Sequence, residues 1–123
     1  MKATLAPGIT YEARHLVTKA MSPGHLPVDV LSTPSMISYI EAACSNAAEQ
    51  HLDGDEATVG THVCVSHDDA VLEGREFIVR CRLASVVKRR LNFEVEVDGP
   101  DGQVSRGTHQ RAVVDPSRMG GAP

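Results

Sequence analysis

From Pro34 to Leu52 the apolar residues recur with helical spacing. At about 100° per residue, Met36, Ile37, Ile40, Ala43, Cys44, Ala47 and Ala48 share one half of the wheel. Ser38, Ser45, Asn46, Glu49 and Gln50 take the other half. Thr33 suits the N-cap and Pro34 the first helical position, where a missing N–H costs nothing. Asp53-Gly54-Asp55 ends the helix. Beyond it the period changes to two. Val59 to His67 is a β-rich run, and Phe77, Val79, Cys81 and Leu83 alternate with Ile78, Arg80 and Arg82. Leu91, Phe93, Val95 and Val97 then alternate with Asn92, Glu94, Glu96 and Asp98, and a last strand runs from about Gln103 to Val114. Looser alternation over residues 8 to 20 predicts a strand before the helix. A loop with Pro23, Gly24 and Pro27 separates the two.

The predicted order is one strand, one long helix and four strands on short connections, an α+β chain with an antiparallel sheet. The helix covers one face of that sheet, and four alanines (Ala42, Ala43, Ala47, Ala48) let the strands approach it closely. The unprotected edge and second face call for a dimer. One domain over residues 1–115 and a flexible tail over 116–123, rich in Gly, Pro and Ser, account for the chain.

Composition narrows the function classes. A net charge of −4 and so few aromatics argue against a nucleic-acid partner. No apolar run is long enough to span a membrane, and no signal segment opens the chain. Cys44, Cys64 and Cys81 lie far apart in apolar segments, which predicts reduced, buried thiols and a cytoplasmic protein. His62, His67 and His109 lack the spacing of common metal pairs, so no metal is expected.

Glu41 is the first candidate for chemistry. It falls at the rim of the apolar stripe beside Ile37 and Ala48, where a carboxylate must be paired, protonated or used. The alternative is a helix-flank Glu paired with an Arg. Thr33 serves as a cap, and a helix N-terminus also offers free N–H groups to an anionic oxygen. His67 shares a strand face with Val63 and Val65 and can serve as a general base or acid, or is simply exposed. Gly60 inside a strand marks a bulge or a close backbone approach. Alternation leaves open whether Arg111 points in or out. Lys88-Arg89-Arg90 is the one dense basic run, either a solvated turn or a phosphate contact.

Four segments carry a family resemblance over Val30 to Val114: Ser32-Thr33-Pro34, Glu41-Ala42-Ala43-Cys44, Gly60-Thr61-His62-Val63-Cys64-Val65-Ser66-His67, and Gly107-Thr108-His109-Gln110-Arg111-Ala112. In order and spacing they resemble the fluoroacetyl-CoA thioesterase family of hotdog proteins. The resemblance implies the hotdog fold, a long central helix wrapped by a curved five-stranded antiparallel sheet. It implies catalytic roles for Thr33, Glu41 and His67, and an acyl pocket shaped by Gly60 and Arg111. Lys88, Arg89 and Arg90 are the expected contacts for coenzyme A phosphates. The family's lid carries phenylalanine just before the Thr, whereas Gly24-His25-Leu26-Pro27-Val28 has no aromatic. The implied activity is therefore hydrolysis of a small or modified acyl-CoA, without a cofactor. Eight helical residues rise about 12 Å, which separates Thr33 from Glu41 and predicts a composite site at a homodimer interface. The rival readings are a module that binds acyl thioesters as sensor or carrier without cleaving them, a hydratase on the same fold, and a purely structural dimer. The paired His and Asp typical of hydratases are not found.

Overall fold

Ser32, not Thr33, starts the helix. Its backbone is extended (φ −74°, ψ 155°) and its hydroxyl accepts from the Ser35 N–H at 3.2 Å. Thr33 is therefore the first helical residue and Pro34 the second, so the helix begins one residue earlier than the sequence predicts. Serine is as good a cap as threonine, and its choice frees the Thr33 hydroxyl. The helix, α1 (Thr33–Glu49), is shorter at its C-terminal end than expected. It buries Met36, Ile40, Ala43, Cys44, Ala47 and Ala48, the stripe read from the sequence except for Ile37, which is half-buried.

The computed structural model describes residues 1–119. The strands are β1 (Thr10–Leu16), β2 (Ala57–Val65), β3 (Glu76–Val87), β4 (Arg90–Gly99) and β5 (Gly102–Val114). They form one antiparallel sheet in the order β1-β3-β4-β5-β2. The first strand is shorter than the 8–20 span predicted for it. Strand neighbours in sequence are thus not always neighbours in space. The segment after β2 crosses from one edge of the sheet to β3, leaving β1 and β2 as the two edges.

The core lies between α1 and one sheet face. Phe77, Val79, Cys81 and Leu83 of β3 and Leu91, Phe93, Val95 and Val97 of β4 are buried, as their alternation predicts. Small side chains on α1 let the strands come close, and Phe77 and Phe93 are the largest side chains fully buried in the core. The opposite face is polar. Arg80 pairs with Glu12 and Asp98, and Arg82 with Glu94, across neighbouring strands. Cys44 and Cys81 are buried, but Cys64 is exposed, contrary to expectation. Its position on the edge strand faces away from the helix, so no layer covers it. The C-terminal segment opens with a 3₁₀ turn, Pro116–Arg118, capped by Asp115; residues 120–123 of the predicted tail lie outside the described residues.

β2 carries one irregularity. Gly60 and His67 are seven residues apart, and an odd separation in a regular strand puts side chains on opposite faces. The ladder of β2 on β5 slips between Gly60 and His62, leaving Thr61 as the extra residue. The bulge turns Val63, Val65 and His67 toward the helix, the side Gly60 already faces.

Candidate active site

Two clusters line the contact between α1 and β2. The first is a pair: Thr33 Oγ1 lies 2.8 Å from His67 Nδ1. Because Ser32 satisfies the helix cap, the Thr33 hydroxyl is available to the imidazole. The backbone donors of that turn are few. Pro34 has none, and the Ser35 and Met36 N–H groups are taken by Ser32, leaving the N–H of Thr33 itself.

The second cluster surrounds Glu41. Its carboxylate is 3.8 Å from Arg111 Nη1 and 4.0 Å from His109 Nε2, and its side chain is 41% exposed. Arg111 points inward and is buried, which settles what alternation left open. Its Nε donates to Thr58 Oγ1 at 2.8 Å and its Nη2 to the Thr58 carbonyl at 3.0 Å. Its Nη1 lies 3.1 Å from His109 Nε2. Burial pulls the Arg111 guanidinium below its ordinary range, and Glu41 opposes that effect.

Gly60 makes this arrangement possible. A Cβ at that position would collide with Glu41 Oε1 and lie 3.2 Å from His109 Cε1 and 3.4 Å from Arg111 Nη1. The sequence marked Gly60 as a bulge or a close backbone approach; the ladder slips beside it, and what comes close is a side chain, the Glu41 carboxylate. Gly60→Ala is expected to fold, because the colliding atom ends a flexible side chain. The carboxylate must swing away, and a displacement of about 1 Å suffices to lower turnover roughly 100-fold. Unchanged steady-state kinetics in Gly60→Ala would show that the contact is immaterial.

His109 and Thr58 belong to the site although the sequence did not single them out for it. The available signal was position: His109 sits two residues before Arg111, on the same face of β5. His109 is fully buried, with Nδ1 2.8 Å from the His62 carbonyl. Burial holds its pKa below the ordinary histidine value; the His62 carbonyl raises it and Arg111 lowers it, with burial the largest effect. His15, its ring tilted 43° against Tyr39 at 4.3 Å between centroids, has its pKa lowered by burial too. The folded state therefore binds fewer protons than the unfolded chain just below the ordinary histidine pKa. The neutral imidazoles contribute stability in full above about pH 6.5, and it is lost as the pH falls through the depressed values. Thermal denaturation between pH 8 and 5 should show a falling midpoint, with a shallower slope in His109→Gln. Coincident slopes for the two proteins would contradict this.

The basic run lies apart from the Thr33–His67 pair. Arg90 pairs with Ala112 in the ladder, which puts the β3–β4 turn at the Arg111 end of the sheet. Lys88 occupies the left-handed region (φ 56°), and Arg89 donates to Glu56 at 2.7 Å and to the Val113 carbonyl at 3.0 Å. Glu56 is held at about 2 by the N-terminal ammonium, the Asp53 N–H and Arg89. Lys88 and Arg90 are exposed. Among the described residues, no three His, Cys, Asp or Glu side chains are grouped to hold a metal ion.

A family model described as fluoroacetyl-CoA-specific thioesterase matches residues 12–117, a span that contains both clusters. The chain belongs to that family. It is 36% identical over 102 residues to the fluoroacetyl-CoA thioesterase of Streptantibioticus cattleyicolor, covering 82% of this chain and 72% of that protein. The solved structure of the fluoroacetyl-CoA thioesterase FlK superposes with a TM-score of 0.89 at 26% identity, covering 94% of this chain and 92% of that one. A hot-dog-like protein from Thermanaerovibrio acidaminovorans shares the fold, with a TM-score of 0.82 at 18% identity over 94% of each chain. The fold is thus the hotdog fold expected from the sequence, one helix packed on a five-stranded antiparallel sheet.

Proposed function

We propose that this member of the thioesterase family hydrolyses a small or modified acyl-CoA to the free acid and coenzyme A, at a site shared by two copies of the chain. The observation that carries the proposal is the pairing of a carboxylate, Glu41, with an immobilised cation, Arg111, at a strand glycine. A second pair, Thr33–His67, stands at the other end of the same helix–strand contact. The resemblance is to an enzyme named for fluoroacetyl-CoA, and a variant of FlK has been solved with fluoroacetate and CoA.

The composite site follows from distance. Thr33 and Glu41 are separated by about 12 Å of helix, and Gly60 and His67 by roughly 23 Å of strand. One thioester carbonyl cannot touch both clusters of a single chain. β2 is a free edge, and edges of this kind pair with a second copy. Antiparallel pairing about a two-fold axis at Cys64, with the slip at Thr61 kept, would set the partner's His67 opposite Gly60. Each site would then hold Glu41, Gly60 and Arg111 from one chain and the Thr33–His67 pair from the other.

In this arrangement Glu41 attacks the thioester carbon or directs a water to it, and the C–S bond breaks as the tetrahedral adduct collapses. The Thr33 hydroxyl and N–H, at the positive end of α1, polarise the carbonyl oxygen. His67 passes a proton to the departing thiolate. If Glu41 attacks first, water then cleaves the acyl-enzyme anhydride. Lys88 and Arg90, with Arg89 already held by Glu56, are the proposed contacts for coenzyme A phosphates. Among the described residues no helix is long and apolar enough to cross a membrane, and a cytoplasmic location is part of the same proposal.

The test is turnover of a panel of short, branched, aromatic and long acyl-CoAs, monitored by release of free thiol. Hydrolysis of at least one short or substituted acyl-CoA is expected. Tight binding without turnover of any would favour the sensor or carrier reading.

A further inference from the structure

The hydrogen bonds around His109 leave one protonation state. Nδ1 faces the His62 carbonyl, which can only accept, so Nδ1 carries the proton. Nε2 faces Arg111 Nη1, which can only donate, so Nε2 carries none. His109 is a neutral imidazole with its proton on Nδ1, buried at 0% exposure. Arg111 is gripped on three sides: Thr58 takes Nε and Nη2, and His109 takes one hydrogen of Nη1. The other Nη1 hydrogen belongs to the nitrogen that stands 3.8 Å from Glu41.

We propose that His109 is a positioning residue: its unprotonated Nε2 fixes the Arg111 guanidinium so that one Nη1 N–H stays turned toward the Glu41 carboxylate and the acyl group beside it. The proposal rests on the reading of Glu41 as the reacting carboxylate. A guanidinium on a flexible stem otherwise has many rotamers, and a freely rotating cation stabilises a carboxylate, or a developing oxyanion, less than a fixed one. The acceptor must also be neutral. An imidazolium in its place would set two positive groups against each other and remove the lone pair that Arg111 uses.

The charged and titratable groups that face this unit come from three elements. Glu41 and Cys44 come from α1, His62 from β2, and Arg111 from β5 itself. No carboxylate other than Glu41 contributes to the shifts of His109 or Arg111, so the ion pair has no second acidic partner among these groups.

His109→Phe keeps a planar ring and removes the acceptor; His109→Gln offers an amide oxygen near the position of Nε2. On a turned-over acyl-CoA, His109→Phe is expected to lower kcat about 100-fold with KM changed less than about threefold, the effect of a misplaced group rather than of lost substrate contacts. His109→Gln should recover kcat to within about tenfold of wild type. A structural role alone would lower the melting temperature of both variants and leave kcat per folded molecule unchanged; that result overturns the proposal. A second measurement requires neither variant nor turnover. Nitrogen-15 NMR of the wild-type histidines should show one imidazole with its proton on Nδ1 that is still mostly neutral at the ordinary histidine pKa, about 6.5. A His109 ring protonated on Nε2, or titrating at or above that value, overturns the assignment. If wild type hydrolyses no acyl-CoA, the functional reading fails, while the NMR result still decides whether His109 holds Arg111.

Discussion

Glu41→Gln folds like the wild type and loses about two to four orders of magnitude in kcat. Folding is spared because the neighbours of Glu41 do not depend on it. Arg111 has three other hydrogen bonds, and the Glu41 side chain is 41% exposed. Catalysis is not spared, because an amide neither attacks a thioester nor takes a proton from water. The measurement is kcat on the best acyl-CoA of the panel, beside a melting curve for each protein. Near-full activity in Glu41→Gln would remove Glu41 from the mechanism. The same variant tests the shared site. Glu41→Gln and His67→Ala are each expected to be inactive as homodimers. After mixed refolding, half of the dimers pair one of each, and one of the two sites in a mixed dimer is intact, so about a quarter of wild-type activity should return. No recovery would mean that each site is built within one chain.

Gly107→Ala is expected to be the most destabilising single-methyl change. A Cβ at Gly107 would overlap the Cys64 carbonyl oxygen and lie 2.8 Å from Val65 Cα and 2.9 Å from the Cys64 carbonyl carbon. These are backbone atoms of the neighbouring strand and cannot rotate aside, unlike the Glu41 side chain at Gly60. Val65 pairs with Gly107, and the ladder continues as the Ser66 N–H donates to the Arg106 carbonyl. Relief of the clash must therefore pry β2 from β5 at the end that carries His67. Overpacking of this kind costs about 3 kcal/mol, which lowers the melting temperature of a domain of this size by roughly 10 °C. Residual activity should fall further than stability, because the His67 end of β2 is the part displaced. A shift below about 2 °C would mean that the strands separate at little cost, well under 1 kcal/mol.

The two glycines show how far the sequence could be read. Gly60 was marked as a bulge or close backbone approach, whereas Gly107 lay inside the predicted last strand without being singled out. What approaches each one is a matter of pairing across the sheet, and the distinction between a movable carboxylate and an immovable backbone is invisible along the chain. Arg111 shows the same limit. Its strand was legible, yet Gln110 and Ala112 on either side gave no apolar pattern to say which face was buried. Thr33 was marked both for the cap and for chemistry. Only the extended backbone of Ser32 shows that the two roles fall on neighbouring residues.

The sequence by itself determined the helix, the alternating strands β3 and β4, the α+β class and the family. These depend on periodicity and on short motifs, which are local properties of the chain. The tertiary structure decided the strand order, with β2 at a free edge, and the bulge at Thr61 that turns Gly60 and His67 toward the same helix. It also decided the burial of His109 between a carbonyl and a guanidinium. Those features arise from hydrogen bonds between residues some fifty positions apart, such as Arg111 and Thr58. No periodicity within either segment encodes which strand the other will meet.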